Sequence, residues 1–330
     1  MLKRHRFKII FCLISLSAYF LISAVTDRKP PYATITNGLI HAGLYLPDTN
    51  KGYYRAARFD WSGIISDLEY GDHHYYGQWF PKYDPKINDA IMGPVEAFDP
   101  IGFEDAKSGE TFLKIGVGEL IRPDSMPYNF MRYYGIANSG KWNVKTSTDG
   151  VEFRQVLKGR AHSYEYTKMI KLEKGKPVMV ISHTLKNTGD KTIETSVFDH
   201  NFFVIDSQLT GDGFVITFPC VPKEKVNVEL EDYARLQNNQ LIFLKSLNGR
   251  SVSFKDITNG NGADYNIIVE NHNTGAGVKI TADRGISKLV FWSWTKTVCP
   301  EPYIKINVQP GATFTWSINY EYYNCNIVKK

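Results

Sequence analysis

The sequence predicts one large all-β domain, built as two extended sheets or as a barrel. Apolar and polar residues alternate through much of the chain, turn signals recur at short intervals, and no stretch of a dozen residues shows convincing helical periodicity. Aromatic residues, which favour strands, make up 14% of the chain. No linker and no repeat divides it. A domain of this size buries a full core without disulfide support.

Residues 1–24 are predicted to be a signal peptide. Basic residues stand ahead of an apolar run from Ile9 to about Ala24, where a small residue suits cleavage. The run is shorter than the ~20 residues that span a bilayer comfortably, so a retained membrane anchor is the alternative. We therefore expect an exported protein, periplasmic or extracellular, whose single domain spans residues 25–330. It would touch a membrane only through an uncleaved N-terminal segment.

The charge of the chain argues against a nucleic-acid partner. The whole chain is formally +5, but residues 1–24 contribute four basic and no acidic side chains, which leaves 35 basic against 34 acidic residues. The basic character is thus largely the export signal. Three cysteines follow this segment, Cys220, Cys299 and Cys325, and they permit one disulfide with one thiol left over.

The clearest strand patterns lie at residues 176–187, 191–203 and 312–323. The first two are joined by Asn187-Thr188-Gly189-Asp190, which predicts a hairpin turn. In that hairpin His183 would face Glu194. Residues 80–110 read as a long loop over one face of the sheets, and such loops commonly carry function.

One predicted strand carries three adjacent polar residues, Asp199-His200-Asn201, between apolar neighbours such as Val197 and Phe203. Buried without partners, these groups would cost roughly 1–3 kcal/mol each. They must therefore find partners inside the protein or meet a ligand.

No standard catalytic or cofactor motif is present. The sequence has no phosphate-binding glycine loop, no zinc cysteine pair, no HExxH and no Gly-x-Ser-x-Gly. The only histidine doublet, His73-His74, cannot chelate side by side, because neighbouring strand residues point to opposite faces. We expect neither a metal nor an organic cofactor.

Polar residues embedded in aromatic strands are the remaining candidates for chemistry. Charged groups can fork hydrogen bonds to hydroxyls while aromatic faces cover the C–H side of a sugar ring. This mixture is typical of a carbohydrate pocket. The candidates are Arg58, His73, His74, Glu96, Lys114, His183, His200 and Glu301, with Trp61, Trp79, Trp292 and Trp294 nearby in sequence.

Three of these segments resemble the galactose mutarotase (aldose 1-epimerase) superfamily. The run His200-Asn201-Phe202-Phe203 is similar to the element that supplies the family's catalytic acid. Arg58-Phe59 resembles an early segment that touches the sugar, and Pro310-Gly311 resembles the turn before the last strand. The resemblance spans about residues 33–323. It implies a single-domain β-supersandwich of two large, mostly antiparallel sheets, with His200 as the acid.

The chain departs from the family where the resemblance implies a glutamate base. That place on a late strand holds Trp292-Ser293-Trp294. Glu96 and Glu301 are the possible replacements, or no base exists. Glu96 is preferred, because the predicted loop could fold over a pocket, whereas Pro300 and Pro302 would hold Glu301 in a stiff loop.

The favoured function is therefore an aldose 1-epimerase-like reaction on a mono- or oligosaccharide. His200 with Glu96 or Glu301 would move the protons, and Arg58, His73, His74, Lys114 and Trp294 would bind the substrate. Two alternatives stay open: a non-catalytic glycan-binding protein, and a polysaccharide lyase or hydrolase on the same fold. A deep pocket favours the epimerase, and a long open groove favours polymer binding.

Overall fold

The computed structural model describes residues 29–223 and 231–327. The predicted signal peptide, residues 1–24, lies outside these ranges. In chain order the elements are β1 (Tyr32–Thr36), β2 (Ile40–Tyr45), β3 (Ile64–Tyr70), β4 (His73–His74), β5 (Gly93–Phe98), β6 (Thr111–Lys114), β7 (Gly118–Ile121), β8 (Ile136–Asn138), β9 (Lys141–Ser147), β10 (Gly150–Lys158), β11 (Ser163–Leu172), β12 (Val178–Asn187), β13 (Ile193–Phe202), a 3-10 turn (Ile205–Ser207), β14 (Phe214–Thr217), β15 (Ala234–Gln237), β16 (Gln240–Phe243), β17 (Val252–Phe254), β18 (Asn266–Asn271), β19 (Ala276–Ala282), β20 (Lys288–Trp294), β21 (Thr297–Val308) and β22 (Thr313–Asn324).

Two large antiparallel sheets form the body of the molecule. The larger has ten strands in the order β15-β16-β14-β18-β19-β22-β12-β11-β10-β9, and the smaller has five in the order β17-β20-β21-β13-β5. A four-stranded sheet (β1-β2-β3-β4) and a three-stranded sheet (β6-β7-β8) complete the described fold. The predicted all-β supersandwich is confirmed. Within the described ranges no helix is long and apolar enough to cross a membrane.

The five-stranded sheet is buried on both faces. One face packs on the ten-stranded sheet, as when the Phe98 ring contacts the Trp316 ring edge-on at 6.3 Å. The other face packs under residues 53–134, which supply a second apolar cluster that includes Phe59, Trp79 and Phe112. Strands covered on both faces carry apolar residues on both faces. The strand β5, although it is at the edge of this sheet, is covered in this way, and all six of its residues are buried.

Two local predictions about this region are wrong, and a third holds only in part. Residues 187–190 do not close a hairpin, because β12 pairs with β11 and β22 whereas β13 pairs with β21 and β5. This turn instead carries the chain from one large sheet to the other. His183 consequently bonds to Glu96 rather than facing Glu194. The predicted loop over residues 80–110 is interrupted by β5, an internal strand of the fold.

The predicted loop around Glu301 is also wrong, since Pro300, Glu301 and Pro302 lie within β21. Val298 exchanges backbone hydrogen bonds with Phe203 beyond the end of β13, so the even-numbered amides of this stretch face β13. At positions 300 and 302 proline has no amide hydrogen, and the ladder to β13 is interrupted there. The Asn201 side chain donates to the Pro300 carbonyl instead, at 2.9 Å.

Candidate active site

A cavity of about 640 Å³ opens on the face of the five-stranded sheet that lies away from the ten-stranded sheet. All five strands of that sheet contribute to its lining, and most of the rest, including Arg58, Asp89 and Lys114, comes from residues between β2 and β9. Its volume is within the range of small-molecule sites, about 300–1,000 Å³. Aromatic side chains are the largest group in the lining, and the charged lining residues are Arg58, Asp89, Asp99, Lys114, Lys255 and Glu301.

His200 and Glu301 meet in this cavity. The pairs between β13 and β21 run from Ile193 opposite Val308 to Phe198 opposite Tyr303. The same register places His200 opposite Glu301, on the face that carries Phe198 and Tyr303. The Nε2 atom of His200 lies 3.3 Å from Oε1 of Glu301. Cross-strand placement therefore brings the two side chains together.

Burial pushes both members of this pair toward their uncharged forms. Burial raises the pKa of Glu301 to about 7, against opposing effects of Arg58 and Lys288. Burial, reinforced by the positive charge of Arg58, lowers the pKa of His200 well below its usual value. The low-dielectric surroundings disfavour both carboxylate and imidazolium. At neutral pH His200 is thus uncharged, and the titrating proton of the pair is on Glu301, which is near the midpoint of its titration.

Aromatic packing fixes the His200 ring. The imidazole is stacked on Phe202 with ring centroids 3.8 Å apart and planes 8° from parallel, and it meets Phe59 edge-on at 5.5 Å. Its Nδ1 atom is buried without a hydrogen-bond partner in the described part of the chain. Stacking rather than hydrogen bonding thus orients Nε2 toward Glu301.

Two cationic side chains line the same cavity. Arg58 forms an ion pair with Asp89, and its guanidinium lies 4.6 Å from the centroid of Phe59 and 4.4 Å from that of Phe130. Lys114 is buried, and its Nζ donates to the Tyr128 hydroxyl at 3.2 Å.

The Lys114 amine has little electrostatic compensation. Burial, and to a smaller extent the charge of Arg58, lowers its pKa to about 7, while Asp99 opposes this effect. Lys114 can therefore donate hydrogen bonds in the cavity, and whether its amine is charged depends on charged neighbours such as Arg58 and Asp99.

Eight residues were predicted to move protons or bind the substrate. The structure brings four of them to the cavity, namely Arg58, Lys114, His200 and Glu301. The other four line different regions. His73 contacts Asp206 at 3.0 Å, and the exposed His74 contacts Asp67 at 2.9 Å. Trp294 borders a neighbouring depression with Gln78 and Phe80.

Glu96, the preferred base in the sequence prediction, is in the core between the two large sheets. It lies opposite Asp199 on β13, whereas its neighbour Val95 lies opposite His200. Adjacent strand residues face opposite sides, so Glu96 points away from the His200 cavity. There it forms an ion pair with Lys168 and bonds to Nε2 of His183 at 2.7 Å.

The pKa of Glu96 matches this structural environment. Burial by itself raises the pKa of this carboxyl group, but Lys168 and His183 outweigh burial and lower it to about 2. Glu96 is thus a permanently ionised member of a buried network. The geometry gives it no access to a substrate in the cavity.

Several cavity residues were not singled out in the sequence. Asp89 pairs with Arg58, and Tyr303 stacks on Phe198 with centroids 4.6 Å apart. Trp292, already noted in the sequence as a neighbour of the candidates, meets the His200 ring edge-on at 6.2 Å. For Tyr303 a usable signal existed, since it lies two residues after Glu301 and so shares its face if the segment is a strand. No local pattern marked Asp89.

Searches with the sequence gave no relatives: no protein-family model matches the chain, and no curated protein matches it. The fold, in contrast, is similar to solved structures. A galactose mutarotase related enzyme from Lactobacillus acidophilus is 16% identical with a TM-score of 0.55, covering 91% of this chain and 100% of its own. The chain has a galactose mutarotase-like fold.

Two further structures agree with this galactose mutarotase-like fold. A candidate aldose 1-epimerase from Escherichia coli K12 is 12% identical with a TM-score of 0.55, covering 89% of this chain and 99% of its own. A galactose mutarotase-like protein from Clostridium acetobutylicum is 13% identical with a TM-score of 0.52, covering 89% and 95%. The resemblance read from the sequence is confirmed at the level of the fold.

Proposed function

We propose that this protein is an aldose 1-epimerase-like enzyme that interconverts the anomers of a sugar. The observation that carries the proposal is the contact between His200 and Glu301, 3.3 Å apart in an aromatic cavity. The mutarotase-like fold supports a sugar as substrate. An acid and a base at one place are what ring opening requires.

The reaction consists of two proton transfers and their reversal. One group takes the proton from the anomeric hydroxyl while the other protonates the ring oxygen, and the bond between the anomeric carbon and the ring oxygen breaks. The resulting aldehyde rotates, and the ring hydroxyl attacks it from either face with both protons returned. No net redox change occurs, and the proton count of the pair is restored.

Glu301 and His200 suit these roles because Glu301 gains and loses its proton near neutral pH while in contact with His200. We assign Glu301 as the base and His200 as the acid, which requires the carboxylate and imidazolium form of the pair. That form arises from the resting form when the Glu301 proton moves to Nε2 of His200 across their contact. A general base with a pKa near the working pH is the efficient choice.

The remaining cavity residues are proposed to hold the sugar. The Arg58 guanidinium and the Lys114 amine would donate to ring hydroxyls, and the Trp292 face would cover apolar C–H groups. Asp89 would fix the guanidinium from behind through its ion pair. No metal or organic cofactor is needed for this chemistry.

Anomer exchange measured by NMR tests the proposal directly. Purified protein is mixed with a panel of neutral and acidic aldoses, and the exchange rate is compared with the spontaneous rate in the same buffer. We expect catalysis for at least one aldose. Exchange at the spontaneous rate throughout, together with binding of a glycan, would show a binding protein instead.

Export is a separate proposal, motivated by the basic and apolar residues of 1–24. Intact mass of protein isolated from its native host tests it. We expect a chain that begins near residue 25, and a chain retaining Met1 in the membrane fraction would contradict export.

A further inference from the structure

A second cluster of chemically versatile side chains lies outside the cavity, at one end of the ten-stranded sheet. Glu270 and Asn271 are the last two residues of β18, and His272 comes directly after them. Cys325 comes directly after β22. One ligand atom from each of Glu270, His272 and Cys325 lies within 4.8 Å of the other two. All three residues are half-buried.

The backbone brings these residues together across β19. Glu270 lies opposite Gly277, and Gly277 lies opposite Tyr323, so the three positions form one row across the sheet. A Cβ atom on Gly277 would be 2.5 Å from the Tyr323 ring, so only glycine lets that ring cross β19. The Tyr323 hydroxyl then donates to Oε1 of Glu270 at 2.9 Å.

The chain after β22 is fixed at the same place. The Cys325 amide donates to the Gly275 carbonyl at 2.7 Å, in the turn between β18 and β19. This turn directs Cys325 toward the strand end that carries Glu270. On the other side, Nε2 of His272 lies 3.1 Å from Oε2 of Glu270.

We infer that Glu270, His272 and Cys325 form a zinc site, with Tyr323 orienting the carboxylate. Thiolate, imidazole and carboxylate are all good zinc ligands, and three protein ligands leave a fourth position for water. Tetrahedral zinc would hold these atoms about 3.3–3.6 Å apart, given ligand bonds of about 2.0–2.3 Å. The Glu270 and His272 atoms that lie 3.1 Å apart would separate slightly, and the remaining ligand atoms, now within 4.8 Å of one another, would draw together. The Cys325 thiol proton leaves to solvent when the metal binds.

The donor set also selects the metal. Magnesium and calcium prefer all-oxygen sites, whereas a thiolate with an imidazole favours zinc. The site would tie the chain after β22 to the turn between β18 and β19. It is independent of the proposed epimerase chemistry, because none of its residues lines the His200 cavity.

Direct zinc titration of the purified, chelator-treated chain by calorimetry tests the inference. We expect one zinc per chain and no binding of magnesium. Cobalt serves as a spectroscopic probe, and thiolate coordination should give a sulfur-to-cobalt charge-transfer band that is absent in Cys325→Ser. Wild-type chain that binds no zinc at about 100 µM free metal would overturn the inference, since sites of this donor type bind far more tightly.

Matched variants locate the site. Cys325→Ser, His272→Ala and Glu270→Gln should each weaken zinc binding at least about 100-fold, and Tyr323→Phe should weaken it about tenfold. Cys220→Ser is the control, because Cys220 is also a half-buried free thiol but bonds toward Ile257 instead. Zinc binding that survives the three ligand variants within threefold, or that is lost in Cys220→Ser, would place the metal elsewhere.

Discussion

Glu96 and His200 project from opposite faces of the same five-stranded sheet. Glu96 shares its face with Asp199 and contacts Lys168 in the core, whereas His200 meets Glu301 in the cavity. One residue of register thus separates the core environment of Glu96 from the cavity in which Glu301 contacts His200. Glu96 and Glu301 are therefore expected to respond differently to substitution.

Glu96→Gln should destabilise the fold strongly. Lys168 would remain fully buried without its carboxylate partner, and breaking such a pair costs about 3–5 kcal/mol. Equilibrium denaturation with urea measures the loss. Glu152→Gln is the matched control, because its partner Lys145 is exposed, and it should leave the denaturation midpoint nearly unchanged. A loss below about 1 kcal/mol for Glu96→Gln would show that the pair is not structural.

His200→Ala should reduce anomer exchange by about 100- to 10,000-fold, the usual contribution of a positioned acid or base. The thermal midpoint should also fall, because the buried ring packs on Phe202 and Phe59, so rates are compared per folded molecule. His73→Ala is the control: His73 lies outside the cavity, beside Asp206, and its removal should leave exchange unchanged. Equal losses in the two variants would mean that the cavity is not the site.

Anomer exchange should depend on pH with a maximum below about pH 7. The pair works with one proton: above pH 7 Glu301, with its pKa near 7, loses that proton, and the rate falls. At low pH the pair gains a second proton, on His200. Because the pKa of His200 is lowered, this fall in the exchange rate should occur well below pH 6.5. Rates corrected for spontaneous exchange from pH 4 to 9 test this. A rate that keeps rising through pH 9 would contradict the shared proton.

The stability of the protein should show the same titration. The pKa of Glu301 is raised from 4.5 to about 7 by folding, so its contribution is fully present below pH 4.5 and is lost as pH rises toward and through 7. The loss is at most about 3 kcal/mol. Glu301→Gln removes this titrating group. The thermal midpoint of the variant, relative to that of wild type, should therefore rise between pH 5 and pH 8. A difference that is constant with pH would show an unshifted carboxyl group.

Alternation and turn signals were sufficient to predict the fold class, because they report burial on one face of a strand. They failed for β5, where both faces are buried and Gly93-Pro94 reads as a turn. They also failed for β21, where the ladder to β13 is interrupted at Pro300 and Pro302. The Asn201 side chain partly replaces it by donating to the Asp199 carbonyl and to the Pro300 carbonyl. The bond to Pro300 involves residues 99 positions apart and leaves no local pattern.

Four residues of the cavity were predictable from the sequence, but their pairing was not. His200, Glu301, Arg58 and Lys114 were candidates because charged groups inside aromatic strands need partners or a ligand. The choice between Glu96 and Glu301 depended on which sheet face each occupies. The register of β13 with β5 and β21 sets the face that each glutamate occupies. This register cannot be derived from the sequence of any one of these strands.

The most direct test compares the two glutamates in one assay, using the aldose on which wild-type protein acts fastest. Exchange rates are measured by NMR per folded molecule, with the folded fraction taken from near-ultraviolet circular dichroism at low temperature. Glu301→Gln should lose at least about 100-fold in rate while staying folded, because it removes the proton acceptor that contacts His200. Glu96→Gln should keep a rate within a few-fold of wild type, despite its lower stability. Full activity in Glu301→Gln with loss in Glu96→Gln would contradict the account.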